Sequence, residues 1–346
     1  MNIGALQRKS IRELSPYDPG LLVNYKYKLD ANENGFDITG AARKKIIREI
    51  QTIHFNRYPD PGTADIREIL AKKNGVKTEN VVIGNGSDEI IHYLIQAFTD
   101  SGDRVVFPHP TFEMYRILSL ANGAAPAASP LNDRFDINEN DILKRARGAK
   151  IIFLAYPNNP TGNCFSRKSV ERIIKKAGCL VVVDEAYYEF SGKTFINLLR
   201  RNKNLIILRT FSKAFSMAGA RLGCMFAHKS IVDIINKVRL PYNVNTLSQA
   251  CARVMLREKK GSAVGDILRE KEIMYDLLKA AYPVVKSDAN FLLIKVKNGA
   301  LAGKLFAKAG ISIRIFREGV LKDFLRLTIG MPEENRAALK ILRRGV

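Results

Sequence analysis

The sequence predicts an α/β protein, with a large domain in which helices sandwich a mostly parallel sheet, and a smaller α+β domain. Continuous apolar runs such as IIFLAY at 151–156 and LVVVD at 180–184 are typical of strands buried on both faces. Helical patterns separate these runs, which is the arrangement that parallel strands require. A length of 346 residues exceeds what one hydrophobic core usually holds, so a second domain is expected.

The alternation of strands and helices begins near residue 80. Residues 80–83 indicate a strand, and an amphipathic pattern at 89–98 predicts the helix after it. Farther along, Ser166 is an N-cap candidate for a helix that Gly178 ends. Further apolar runs predict strands at 180–184, 205–208 and 222–227.

Pro241 ends this alternation, and a long helical stretch follows it. The remaining chain predicts strands at 291–296, 311–316 and 324–329 and a last helix from near Pro332. We therefore expect three parts: an N-terminal segment at 1–40 that joins the small domain, a large domain at 41–240 and a small C-terminal domain at 241–346.

The charge balance is strongly basic, with 56 Lys and Arg against 34 Asp and Glu and a net charge of +22. Such a balance suits nucleic acid or small anionic substrates. The basic residues are spread along the whole chain, however, and no basic run alternates with aromatic residues. We interpret them as solvated helix faces and expect no nucleic-acid partner.

Cysteine usage and hydropathy limit the other function classes. The four cysteines are widely spaced and form no Cys-x-x-Cys pair, so we expect neither a disulfide framework nor a metal site. No apolar run approaches the roughly 20 residues that cross a bilayer, and the first residues lack an apolar signal segment. We expect a cytoplasmic protein with no membrane partner.

Four polar motifs follow the predicted strands: GNGSDE at 84–89, YPNNPTG at 156–162, DEAY at 184–187 and TFSKAFSMAGARLG at 210–223. The first is either an ordinary turn or a place where backbone N–H groups bind a phosphate. In the others, a carboxylate either caps a helix or holds a ring N–H, and a lysine either extends to solvent or forms an imine with an aldehyde. Carboxyl ends of parallel strands meet at one edge of a sheet, so we expect a shared ligand site there.

This set of motifs resembles the fold-type-I aminotransferases, which depend on pyridoxal phosphate. The motifs LDANEN at 29–34 and RYPDP at 57–61 are similar to those of the histidinol-phosphate aminotransferases in particular. The resemblance extends from about Tyr17 to Gly330, which is nearly the whole chain. It implies that the large domain binds the cofactor.

Cofactor-binding roles follow from the resemblance, position by position. Lys213 would be the Schiff-base lysine, and Asp184 would pair with the pyridinium nitrogen. Asn159 and Tyr187 would hydrogen-bond the phenolic oxygen, and the catalytic set would be Lys213, Asp184 and Tyr187. The cofactor phosphate would be surrounded by small and polar residues, namely Gly86, Ser87, Asp88, Thr210, Ser212 and Arg221.

The resemblance implies two further cofactor contacts, at Phe112 and Tyr58, and the chain departs from the family pattern at Phe112 and at Gly35. Phe112 stands where the family usually has a tyrosine stacked on the ring, so the stacking face is kept and the hydroxyl is lost. Tyr58 would reach the phosphate from the other subunit of a homodimer. Gly35 stands where a proline is usual.

The resemblance also implies a substrate site. Arg326 would clamp an α-carboxylate, with Asn159 beside it. Tyr17 and Arg314 are candidates for a distal phosphate, although an exposed tyrosine and a surface arginine explain them equally well.

The activity implied is a ping-pong transamination between glutamate and imidazole acetol phosphate, which gives histidinol phosphate in histidine biosynthesis. An aromatic or broad-specificity aminotransferase and a threonine-phosphate decarboxylase-like enzyme are the alternatives with the same cofactor. A basic nucleic-acid-binding protein is the alternative from another class.

Overall fold

The structure is a computed structural model that describes residues 1, 3–12, 14–16, 24–258 and 263–345. The strands are β1 (Tyr27–Leu29), β2 (Val81–Gly84), β3 (Arg104–His109), β4 (Ala125–Pro130), β5 (Ile151–Ala155), β6 (Leu180–Asp184), β7 (Leu205–Thr210), β8 (Gly223–Ala227), β9 (Val284–Val285), β10 (Phe291–Lys295), β11 (Ile311–Ile315) and β12 (Phe324–Thr328). The helices are α1 (Lys9–Arg12), α2 (Gly40–Gln51), α3 (Ala64–Asn74), α4 (Ser87–Phe98), α5 (Met114–Asn122), α6 (Glu139–Arg145), α7 (Arg167–Lys176), α8 (Tyr188–Ser191), α9 (Lys229–Val238), α10 (Thr246–Arg257), α11 (Ala263–Leu278), α12 (Gly299–Lys308) and α13 (Pro332–Leu342).

The larger sheet has seven strands among the described residues, in the order β2-β8-β7-β6-β5-β3-β4. Strands β3 to β7 pair in parallel, whereas β8 runs antiparallel to both of its neighbours, β7 and β2. The prediction of a mostly parallel sheet in an α/β protein is therefore confirmed.

Both faces of this sheet are covered. Along β5, Ile152 and Leu154 lie in one apolar cluster, whereas Ile151 and Phe153 lie in the cluster on the opposite face. Alternate residues of a strand point to opposite faces, so a strand covered on both sides must be apolar throughout. Helix α7 covers the first face, and the Ser166 side chain caps it by accepting from the Ser169 N–H, as predicted.

One helix begins earlier than predicted. Helix α4 starts at Ser87 instead of Glu89, because its first turn is polar and adds nothing to the apolar periodicity. The difference matters because it places the unpaired N–H groups of the helix directly behind the glycine-rich turn.

The smaller sheet has the order β1-β11-β12-β10-β9, in which β1 and β11 are parallel and the other pairs antiparallel. Its core includes Leu292, Phe306 and Leu339, together with Tyr187 from the loop after β6. Pairing of β1 brings the early chain into this sheet. The domain limits at residues 40 and 240 stay predictions.

Within the described ranges, no helix combines the length and the apolar character needed to span a membrane.

A buried ion pair fixes the ends of β6 and β7. Arg209 donates to the Glu185 carboxylate through Nε at 3.0 Å and Nη2 at 2.9 Å. The Phe195 N–H also donates to Glu185, and the Arg209 guanidinium lies 3.6 Å from the centre of the Tyr188 ring. Since Glu185 and Arg209 adjoin Asp184 and Thr210, this pair sets the positions of both strand ends.

We expect Arg209→Met to lower the free energy of unfolding by about 3–5 kcal/mol, because it leaves a buried carboxylate without its cation. Urea denaturation followed by circular dichroism measures this. Lys229→Met, which breaks the exposed pair with Asp233, is the control and should leave stability unchanged. Equal losses in the two variants would contradict the argument.

Candidate active site

A cavity of about 430 Å³ lies at the carboxyl ends of β5, β6 and β7 and is lined by residues of both sheets. Among the predicted site residues it brings together Ser87, Asp88, Phe112, Asn159, Asp184, Tyr187, Thr210, Ser212, Lys213, Arg221, Arg314 and Arg326. This is the edge where open α/β sheets bind their ligands.

Two predicted residues within the described ranges do not line the cavity. Gly86 lies immediately behind it, against Arg221. Tyr58 is 80% exposed and stacks on Tyr242 with ring centres 4.4 Å apart. Tyr17 lies outside the described residues.

The turn before α4 forms a tight cradle with the segment that ends in Arg221. A Cβ added to Gly223 would lie 2.3 Å from the Ser87 nitrogen, and one added to Gly86 would lie 2.7 Å from Arg221 Nη2. Gly86 also has φ of 83°, which favours glycine. The backbone can therefore approach a ligand closely, as an anion at a helix N-terminus requires.

Side chains complete this cradle. Arg221 donates to Asp88 Oδ2 through Nη2 and to Ser212 Oγ through Nη1, both at 3.3 Å. The Thr210 hydroxyl accepts from the Ser212 N–H at 3.1 Å. A guanidinium, two hydroxyls and a helix N-terminus are suited to a phosphate.

Asp184 is a carboxylate in a dry environment. It is 4% exposed, and its two oxygens accept from the Tyr115 hydroxyl at 2.8 Å and from the Ala186 N–H at 3.1 Å. Burial raises the pKa of Asp184 to about 6, and the hydrogen bond from Tyr115 opposes that rise. Near neutral pH the carboxylate is therefore charged, and it is suited to hold a ring N–H⁺.

Tyr115 was missed as a site residue from the sequence. It is fully buried and stacks on Phe153 with ring centres 4.7 Å apart, which fixes its hydroxyl on Asp184. The one signal in the sequence was its place three residues after Phe112, in the segment PTFEMY at 110–115.

Lys213 lies in the segment after β7, and its Nζ donates to the Ala31 carbonyl at 2.7 Å. Burial and, after it, the nearby positive charge of Arg326 lower the pKa of Lys213 to about 8. A larger neutral fraction at physiological pH makes the amine a better nucleophile and proton carrier.

Tyr187 lines the cavity from the loop after β6. Its hydroxyl oxygen accepts from Asn32 Nδ2 at 2.8 Å, and its ring packs edge-on against Phe291 with centres 5.3 Å apart. Burial raises the pKa of Tyr187 to about 12, so the hydroxyl keeps its proton. Asn32 was also missed, although it lies within the LDANEN motif.

The opposite wall of the cavity is cationic. Arg314 and Arg326 are paired in register on the adjacent strands β11 and β12, and both line the cavity. Arg326 donates to Asn159 Oδ1 at 2.6 Å and also to the Asp30 carbonyl. Two guanidinium groups side by side are suited to anionic ligands.

Within the described residues, no group of three or more His, Cys, Asp and Glu side chains is arranged to hold a metal ion.

The family model for aminotransferases of class I and II matches residues 25–342. The chain belongs to this family.

Curated relatives of this aminotransferase are similar over nearly its whole length. It is 41% identical over 330 residues to the histidinol-phosphate aminotransferase of Caldanaerobacter subterraneus subsp. tengcongensis, with 93% of each chain covered. It is 39% identical to the histidinol-phosphate aminotransferase of Pyrococcus furiosus, with 92% of each chain covered.

Solved structures share the fold. The histidinol-phosphate aminotransferase of Sinorhizobium meliloti in complex with pyridoxal-5'-phosphate superimposes with a TM-score of 0.86 at 22% identity, covering 97% of each chain. The L-threonine-O-3-phosphate decarboxylase of Porphyromonas gingivalis gives a TM-score of 0.80 at 21% identity, covering 92% of this chain and 98% of its own.

The cofactor of this aminotransferase is pyridoxal phosphate, and the cavity residues fit it. The glycine cradle matches the phosphate, the buried Asp184 carboxylate matches the ring nitrogen, and the Lys213 amine matches the aldehyde.

We expect Asp184→Asn to stabilise the cofactor-free protein at pH 8 by up to about 3 kcal/mol. The folded-state pKa of Asp184 is raised to about 6, whereas the unfolded chain has a pKa of about 4. Between these values the folded state binds more protons, so stability falls as pH rises through that window and the deficit is complete above it.

Urea denaturation at pH 8 and pH 4.5 measures the difference, which should shrink at the lower pH. Asp233→Asn, on an exposed carboxylate, is the control. A gain of the same size at both pH values would show that burial of the charge is not its source.

Proposed function

We propose that this aminotransferase transfers an amino group between glutamate and imidazole acetol phosphate, forming histidinol phosphate, and that it does so in the cytoplasm as a step of histidine biosynthesis. The observation on which the proposal rests is the in-register pair Arg314 and Arg326 facing one cavity. Both substrates are anions, and glutamate has two carboxylates. The identity to histidinol-phosphate aminotransferases over more than nine-tenths of the chain supports the same substrate.

Pyridoxal phosphate, when bound, supplies a protonated aromatic ring that withdraws electrons from the substrate α-carbon. Asp184 keeps the proton on the ring nitrogen, because an ionised carboxylate in a dry site favours a cation beside it. Lys213 Nζ moves a proton between the substrate α-carbon and C4′ of the cofactor. Its lowered pKa leaves enough neutral amine to accept that proton near neutral pH.

The remaining residues orient the reacting groups. Asn159 uses Oδ1 to accept from Arg326, which leaves its Nδ2 as a donor to the phenolic oxygen. Tyr187 donates to the same oxygen, and Phe112 covers one face of the ring. The phosphate is held by the cradle residues Gly86, Ser87, Asp88, Thr210, Ser212 and Arg221.

The substrate roles divide between the two arginines. Arg326 clamps the α-carboxylate of glutamate. Arg314 binds the second anionic group, which is the phosphate of histidinol phosphate or the γ-carboxylate of glutamate. Tyr17, the other candidate for binding this phosphate, lies outside the described residues.

We also propose a homodimer in which Tyr58 reaches the phosphate cradle of the partner. The support is the exposed aromatic pair of Tyr58 and Tyr242, flanked along the chain by Phe55 and Leu240, which are 74% and 64% exposed. Exposed apolar clusters of this kind mark protein interfaces.

We expect histidinol phosphate to change the absorbance spectrum of the enzyme loaded with pyridoxal phosphate, and Lys213→Ala to lose both the lysine-dependent band and turnover.

In Arg314→Gln, the apparent affinity for histidinol phosphate should fall at least about tenfold, because a charge-assisted contact is lost. The response to unphosphorylated histidinol should not change.

Parallel assays with phenylalanine and threonine phosphate separate the other substrates. A spectrum that responds to phenylalanine but not to histidinol phosphate would replace the substrate with an aromatic one. Release of carbon dioxide from threonine phosphate would favour a decarboxylase.

For the dimer, we expect Tyr58→Phe to weaken retention of pyridoxal phosphate about fivefold through loss of one hydrogen bond, with no change in assembly. Equilibrium dialysis and analytical ultracentrifugation measure the two quantities. A monomeric wild-type enzyme, or unchanged cofactor affinity in the variant, would remove Tyr58 from the site.

A further inference from the structure

The hydroxyl of Tyr187 receives a hydrogen bond from within the protein. Asn32 Nδ2 donates to its oxygen at 2.8 Å, and both side chains are buried, with Tyr187 4% and Asn32 1% exposed. A phenolic hydroxyl has one proton to donate. Because its oxygen accepts from Asn32, that proton must be donated to another partner, and Tyr187 lines the cavity.

The orientation of the Asn32 amide is set by Thr328 at the end of β12. The Asn32 N–H donates to Thr328 Oγ1 at 3.0 Å, and the Thr328 hydroxyl donates to Asn32 Oδ1 at 3.2 Å. The amide oxygen is therefore occupied by a donor, which leaves the amide nitrogen facing Tyr187. Thr328 is 1% exposed, so water does not compete for these bonds.

The backbone at Asn32 is fixed as well. Its φ of 55° lies in the left-handed region, which asparagine adopts more readily than most residues. Asn290, which is fully buried, donates through Nδ2 to the Asn32 carbonyl at 3.0 Å. The amide therefore occupies one position between β12 and Tyr187.

We propose that Asn32 is a positioning residue that directs the proton of the Tyr187 hydroxyl toward the phenolic oxygen of the cofactor. This inference rests on the role of Tyr187 in the proposed function. In this proposal, the loop after β1 and the end of β12 help to hold the cofactor ring.

The chain offers variants that reverse or remove single hydrogen bonds of this set, and a control that carries the same change of charge. Asn32→Asp keeps the size of the side chain but places an oxygen opposite Tyr187, so the tyrosine proton turns away from the cavity. Thr328→Val removes the hydroxyl that orients the amide. Asn34→Asp, in the same loop but with its amide on the Ala214 carbonyl, is the matched control.

The experiment uses the enzyme loaded with pyridoxal phosphate and measures the position of its long-wavelength absorption band and the dissociation constant of the cofactor. Asn32→Asp and Thr328→Val should shift the band in the same direction as Tyr187→Phe does. They should weaken retention roughly fivefold, as expected for one hydrogen bond. Asn34→Asp should leave both quantities unchanged.

The decisive comparison is Asn32→Asp in a Tyr187→Phe background, where it should cause no further shift, because the proton it redirects is absent. A shift as large as in the wild-type background would overturn the inference, as would an unshifted band in Asn32→Asp or in Tyr187→Phe. Far-ultraviolet circular dichroism checks that each variant is folded. These spectra are recorded without substrate. If the band does not respond to histidinol phosphate in the separate assay, the proposed substrate is wrong, but the inference about Asn32 is unaffected.

Discussion

The structure depends on keeping one ionised carboxylate, Asp184, at the end of a strand that is buried on both faces. Its charge is stabilised by two hydrogen bonds, from the Tyr115 hydroxyl and the Ala186 N–H, which only partly offset the loss of water. Burial also disfavours the charged form of Lys213, and for an amine this lowers the pKa, here to about 8. Between roughly pH 6 and 8 the carboxylate is charged while a share of the amine is neutral, which suits the roles proposed for the two groups.

The two sheets supply different parts of this arrangement. The larger sheet provides Asp184, Lys213 and the glycine cradle at the ends of its strands. The smaller sheet provides the arginines and, through β1, the loop whose Ala31 carbonyl accepts from Lys213. The buried Glu185–Arg209 pair holds the strand ends in register with one another. The site therefore requires both sheets to be folded and in contact.

The sequence was sufficient for the fold class, the family and the cofactor, because each depends on local patterns. Asp184 and Lys213 were found since apolar runs reveal where strands end, and polar residues there stand out. Tyr115 and Asn32 were not identified from the sequence, because their partners lie far away along the chain and only the folded structure brings them together. The start of α4 was misplaced for a related reason, as its polar first turn has no periodicity. The domain limits and the roles of single site residues stay predictions.

The placement of β8 has a consequence for biosynthesis of the chain. Strand β2 has β8 as its pairing partner in the large sheet, and β8 ends at Ala227. A nascent chain on the ribosome therefore exposes an unpaired apolar strand from residue 81 until residue 227 has emerged, and such long-range pairing is slow. Arg326 and Thr328 are synthesised later still. The residues of β12 are therefore made after those of β5, β6 and β7, and a nascent chain that has not yet reached β8 is exposed to aggregation through the unpaired strand.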